Sequence, residues 1–323
     1  MRSKYARLTV CAFAMLLLIL DSKSAAQAAS EGIGLCLSTV IPALFPFFVL
    51  SSWMTGAFGG AVSRIFETVF RLPAGCGGIV LTGLLGGYPV GAQALSQARE
   101  CGAISGREAN RMLAFCSQAG PSFLFGMAAA QFPSARYGWL LWAVQILSAL
   151  SVARLLPHTQ RETSNIPPTP SPSISDAMKR AVTAMASVCG WVVVFRVVIS
   201  FLSRWVLWLL PEVCQILLCG LLELTNGCVM LDALANTELR FLAAALMLNF
   251  GGFCVVLQTL SVTLGLDIRY YLLGKLLQSG FALLYGCLFL RHYSVMIPLV
   301  GIFSCAYLLN RRKNSSIPAP VGV

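Results

Sequence analysis

Arg196 stands in "WVVVFRVVIS", about 13 residues into an apolar stretch, or roughly 20 Å at 1.5 Å per residue. A charge that deep in a hydrophobic span faces a cavity or a partner. A guanidinium is also a planar fork matched to carboxylates, so Arg196 is a candidate for holding an anionic solute. Its bland alternative is a structural pair with Glu223 or with backbone carbonyls. Glu223, in "LLELTNG", has two uses that the sequence does not separate: coupling transport to protons, or neutralising Arg196. Lys275 lies near the start of its apolar segment and Arg204 near the end of its own. Both can reach the interface by snorkelling.

Other chemistry is absent. The chain has no G-x-S-x-G, no H-E-x-x-H and no Walker loop, and its two histidines, His158 and His292, lie far apart. No enzymatic activity is expected, and no cofactor or metal. Twelve cysteines are spread singly with no C-x-x-C, the pattern of a small apolar residue in helices rather than of a disulfide or zinc framework.

The remaining candidates sit where apolar segments are interrupted. "GLLGGYPVG" (83–91) places Gly86, Gly87, Tyr88 and Pro89 inside a hydrophobic stretch. A spanning helix gains nothing from such a break, because each freed backbone group needs a new partner where water is missing. Glycines let the chain reverse, and proline starts a return helix at little cost. This predicts a re-entrant hairpin with Tyr88 as its polar tip. Thr225, Asn226 and Gly227 form the matching tip of a second hairpin. Ser117, Gln118 and Ser122 flank Gly120-Pro121, and Asn249 precedes Gly251-Gly252. These small polar residues either touch a solute or satisfy the backbone freed by the breaks. Pro42 and Pro46 read as a kink, and Phe45, Phe47 and Phe48 as packing, lipid-facing or stacking rings.

The elements that must position them are transmembrane helices. Of 323 residues, 57% are hydrophobic and 11% charged, with a mean hydropathy of +0.78; soluble domains carry roughly 25% charged residues. The net charge of +11 is scattered over short loops, which argues against nucleic acid. Apolar segments fall at about 8–20, 33–55, 110–131, 138–156, 183–210, 239–263, 270–290 and 294–309, and the interrupted ones at 74–98 and 213–234. The first, behind Arg2, Lys4 and Arg7, is either a retained helix, the preferred reading, or a signal peptide. Eight crossings put both termini on one side. Sixteen Lys and Arg then lie in cytoplasmic loops and four (Lys23, Arg136, Arg240, Arg291) outside, as the positive-inside rule requires. The expected location is a bacterial membrane, with both termini cytoplasmic.

The expected fold is thus all-α and polytopic, with about eight transmembrane helices and two re-entrant hairpins. Residues 1–30 form an N-terminal helix, 31–156 a first repeat, 157–177 a cytoplasmic Pro/Ser/Thr linker, 178–293 a second repeat, and 294–323 a last span with a basic tail. Each repeat holds a long span, a glycine-broken stretch and two more spans. Three crossings per repeat invert the second relative to the first, the plan of many secondary transporters.

"GLCLSTVIPALFPFFVLSSWM" (34–54), "GLLGGYPVGAQA" and "GAISGREANRMLAFCSQAGPSFLFG" (102–126), in this order, resemble the sporulation integral membrane proteins of the YlbJ type, which carry the nucleoside-recognition or Gate domain. The resemblance covers roughly residues 30 to 305 and is sharpest in the first half. It implies a membrane protein of endospore-forming bacteria that moves an anionic solute, dipicolinate, during sporulation. Its partners would be the lipid bilayer and a small-molecule solute, with no nucleic acid; an oligomer and other sporulation membrane proteins stay open. Two rivals remain: a nucleoside or other metabolite transporter of the Gate group, and a non-transporting scaffold of the spore envelope.

Overall fold

A computed structural model describes residues 2–54, 60–157, 173–263 and 265–314. Most of the expected linker and the end of the C-terminal tail lie outside them. The described residues are all-α, without a strand.

In the first half, α1 (Arg2–Leu20) is followed by α2 (Ser22–Leu35), which passes through a π turn (Cys36–Val40) into α3 (Ile41–Met54). Then come α4 (Gly60–Phe70), the hairpin arms α5 (Gly77–Gly86) and α6 (Val90–Glu100), and α7 (Gly106–Leu113). After a non-helical stretch, α8 (Pro121–Phe123) runs on through a second π turn, and α9 (Arg136–Leu155) closes the half. The second half consists of α10 (Ile174–Trp205), the short pair α11 (Glu212–Leu222) and α12 (Leu224–Val229), α13 (Thr237–Phe250) and α14 (Gly252–Val262) separated by Gly251, and α15 (Ile268–Asn314).

Long helix, hairpin, broken helix and long helix therefore occur in the same order in both halves. α10 packs along α2 and α3, and α15 along α9, so each long helix meets its counterpart.

Among the described residues, five helical stretches are long and apolar enough to cross a bilayer: Ser22–Met54, Arg136–Leu155, Ile174–Trp205, Thr237–Val262 and Ile268–Arg291. The expected segment 110–131 is instead two helical pieces joined by irregular chain, because Gly120-Pro121 cannot continue α7. The segments expected at 270–290 and 294–309 belong to one continuous helix of 47 residues. Arg111, one of the sixteen cations assigned to cytoplasmic loops from the sequence, is buried. It pairs with Glu108 one turn away and donates to Ala153 O at 3.0 Å, tying α7 to α9.

Both expected hairpins reverse sharply. Gly83 and Gly91 are eight residues apart, which a continuous helix would spread over about 12 Å. Yet a Cβ on Gly91 would lie 2.7 Å from the Gly83 Cα. Between these glycines sits the Cys116 carbonyl, 1.8 Å from a Cβ built on Gly83 and 2.3 Å from one on Gly91. In the second half Gly220 and Gly227 meet in the same way and enclose Met247. Cys116 lies four residues before Gly120, and Met247 four before Gly251, so each hairpin clasps its own broken helix at the equivalent point.

A methyl group at Gly83 has only backbone to displace. Gly83→Ala is expected to destabilise the protein by about 2–3 kcal/mol through overpacking. Gly34→Ala, which meets nothing within 4 Å, is expected to be neutral or slightly stabilising. Thermal unfolding of the detergent-purified variants measures the difference.

Candidate functional site

The two hairpin tips and the two helix breaks converge. Gly87, at φ +76°, lies against Gly120, whose Cβ position would be 3.2 Å from the Gly87 Cα. The second reversal falls at Leu222–Leu224 rather than at the expected Thr225, Asn226 and Gly227, which lie in α12 because Glu223 caps that helix, and it lies against Gly252 in the same manner. Tyr88, following Gly87 and preceding the cis-bonded Pro89, crosses between the halves: its hydroxyl donates to Leu248 O at 2.9 Å and packs on Gly251. Leu248 O is free to accept because the left-handed Gly251 ends α13 before an amide can reach it.

Around these contacts lies a cleft of about 470 Å³, counting the part open to the surface. Hairpin 1 contributes Gly86, Gly87 and Tyr88, and the first break Gly120, Ser122 and Phe123. Hairpin 2 contributes Glu223, Leu224 and Thr225; Cys254, Val255 and Gln258 of α14 face them. Leu44 and Phe48 of α3 and Val188 of α10 complete the wall. The lining is mixed and mainly apolar, as small-molecule sites are. Of the three neighbouring phenylalanines, only Phe48 lines it.

Glu223 is buried without a cationic partner among the described residues. Its carboxylate caps α12, accepting from Thr225 N at 3.0 Å, Asn226 N at 2.8 Å and Asn226 Nδ2 at 2.8 Å. Acceptors at a helix start satisfy orphan amides and favour the dipole. By contrast, α14 begins at glycines that have no side chain to cap it.

Arg196 does not line the cleft. It is about one-third exposed and pairs with Glu31 of α2 at 2.8 Å, while Nη1 donates to Asn226 Oδ1 at 3.2 Å. Asn226 thus links Arg196 to Glu223, and the direct Arg196–Glu223 pair does not form. Arg204, further along α10, pairs with Asp21 and donates to Ser24 Oγ at 2.7 Å.

The other expected residues bond to the backbone, Gln118 to a carbonyl freed by the break and Asn249 to one inside α13, while Ser117 takes part through its carbonyl. Gln118 Nε2 donates to Phe115 O at 2.9 Å, and Asn249 Nδ2 to Ala245 O at 2.9 Å. Ser117 offers its carbonyl to Lys275 Nζ at 2.5 Å. Two contributors, Gln145 and Gln278, are not among the residues expected from the sequence, and Lys275 reads there as snorkelling. Lys275 does not snorkel; it is fully buried. Gln145 Nε2 holds Ala119 O at 2.8 Å, and Gln278 Nε2 holds Ala114 O at 3.2 Å. A glutamine inside an apolar helix, as in "WAVQILSAL" and three residues after Lys275, was the available signal.

With this geometry in view, comparison with known proteins becomes informative. The chain is 28% identical, over a 341-residue alignment covering 87% of it and 82% of its relative, to the sporulation integral membrane protein YlbJ of Bacillus subtilis (strain 168). The resemblance to the YlbJ type is borne out. No family model matches the chain, and no solved structure matches it. Its long apolar helices make it an integral membrane protein in contact with the lipid bilayer.

If the Glu31–Arg196 pair is structural, removing one charge strands the other, and removing both relieves the defect. Arg196→Gln and Glu31→Gln are each expected to lose function, and the double variant to regain most of it. A double variant as impaired as Arg196→Gln would instead place the guanidinium on the solute. Complementation of a strain lacking the protein, at matched membrane levels, reads this.

Proposed function

We propose that this chain is a transport protein that moves a small polar solute across a membrane during endospore formation. The observation that carries the reading is the convergence of two hairpin tips and two broken helices on one cleft. Broken helices are tolerated at membrane depth where they line a cavity. Two similarly ordered halves that meet at such a site suit alternating access, in which one half rocks against the other. In this reading residues 31–156 and 178–293 are inverted repeats, both termini are cytoplasmic, and the membrane is the plasma membrane or the outer forespore membrane.

The YlbJ-type resemblance implies dipicolinate as solute. Phe48 and Phe123 both line the cleft and offer rings for an aromatic solute to stack on, and the uncapped start of α14 offers amide groups to a carboxylate. One observation favours a second reading. Glu223 places a carboxyl group on the cleft and Arg196 is held by Glu31, an arrangement that suits a neutral solute such as a nucleoside. Under the dipicolinate reading, the anion therefore enters together with a proton on Glu223.

Spores lacking the protein are expected to contain little dipicolinate, and wild-type complementation to restore it. Ser122→Leu, which fills the cleft without adding charge, is expected to restore less than about a tenth, as loss of a solute's place in a packed site requires. Normal dipicolinate in the deletion strain would overturn the solute. Uptake of labelled uridine by membrane vesicles would then test the nucleoside reading.

A further inference from the structure

Lys275 lies outside the cleft lining and in no ion pair among the described residues. It is fully buried on α15. An ammonium carries three donors and no acceptor. All three meet oxygen: Ser117 O at 2.5 Å, Gln278 Oε1 at 3.1 Å and Tyr88 Oη at 3.4 Å. Tyr88 can accept because its own proton is given to Leu248 O. The ring centroids of Tyr88 and Tyr271 lie 4.9 Å and 5.6 Å from Nζ, adding cation–π attraction.

These partners form an unusual set for a lysine. None is a carboxylate, so nothing neutralises the charge. Instead, a backbone carbonyl freed by unwinding, an amide oxygen and a phenol surround it, the hard oxygen donors that alkali ions take in broken transporter helices. Two further oxygens on the same unwound stretch, Ser117 Oγ and Gln118 Oε1, are fully buried and make no hydrogen bond. The ammonium also occupies a junction. Ser117 belongs to the first break, Tyr88 to the tip of hairpin 1, and Leu248, held through Tyr88, to the second broken helix.

We propose that Lys275 is the resident cation of a monovalent-cation site, its ammonium standing where an alkali ion would otherwise hold hairpin 1, the unwound 114–120 segment and α15 together. The closed packing of the protein is then independent of Na⁺ and K⁺. Truncating the lysine exposes a site that an alkali ion can fill. The inference holds whatever solute the cleft takes.

The test is thermal unfolding of the purified full-length protein in NaCl, KCl or choline chloride at equal ionic strength. Wild type is expected to melt at one temperature in all three salts. Lys275→Ala is expected to melt several degrees lower in choline chloride and to recover, saturably, in NaCl or KCl. Lys275→Met, which fills the space without charge, is expected to be destabilised with no response to the cation. The proposal is overturned if folded Lys275→Ala melts identically in all three salts, if Lys275→Met gains the same cation response, or if wild type is stabilised by Na⁺ or K⁺ over choline. Should Lys275→Ala not fold in any salt, Lys275→Ser carries the same comparison. Should that fail too, the wild-type salt series decides by the same criterion, identical melting in support and alkali-ion stabilisation against.

Discussion

The structure depends on one constraint: a chain that unwinds inside a bilayer must find new partners for its backbone. Between Ala114 and Gly120 the first broken helix leaves carbonyls that no helical amide can reach. Four of them are met by side chains, Ala114 by Gln278, Phe115 by Gln118, Ser117 by Lys275 and Ala119 by Gln145. Three of the four donors come from α9 and α15, long helices that pack against one another. Without those donors each carbonyl would cost about 1–3 kcal/mol as a buried unsatisfied group, and an ordinary helix would be preferred. The fold can therefore afford a break only because α9 and α15 carry polar residues at that depth.

The glycine notches follow from the same constraint. The Cys116 carbonyl has no polar side chain on it; it sits between the Cα atoms of Gly83 and Gly91, close enough for Cα–H···O contact. The hairpin is thus held by the break and the break by the hairpin. In the second half the notch of Gly220 and Gly227 takes a methionine side chain instead, so that clasp relies on packing. Tyr88 joins the two units, since its hydroxyl bonds to the opposite broken helix. Under the proposed transport, elements that clasp in pairs and touch across the middle would open the cleft by moving as whole units.

Much of this was legible in the sequence. Gly86-Gly87-Tyr88-Pro89, Gly120-Pro121 and Gly251-Gly252 announce breaks through backbone geometry, which is a local property. Their convergence was legible only as an order of elements repeated in the two halves. What remained hidden depends on distant chain. Glu31 is 165 residues from Arg196, and nothing local links an N-terminal carboxylate to that guanidinium. Lys275 reads as an interfacial residue by its place in the hydropathy profile, yet the packing of α15 on the first break buries it. Arg111 looks like a loop cation because α7 is short and polar, but its pair with Glu108 lets it close a core.

The convergence of tips and breaks on one cleft is tested most directly by cysteine accessibility. Ser122→Cys and Thr225→Cys, each in an otherwise cysteine-free chain, would be exposed to a membrane-impermeant maleimide in membranes with both sides open. Labelling at both positions, slowed by dipicolinate, is the predicted result. If neither reacts while a cysteine in the exposed loop at Gly102 does, the cleft is not a solute path and the account fails.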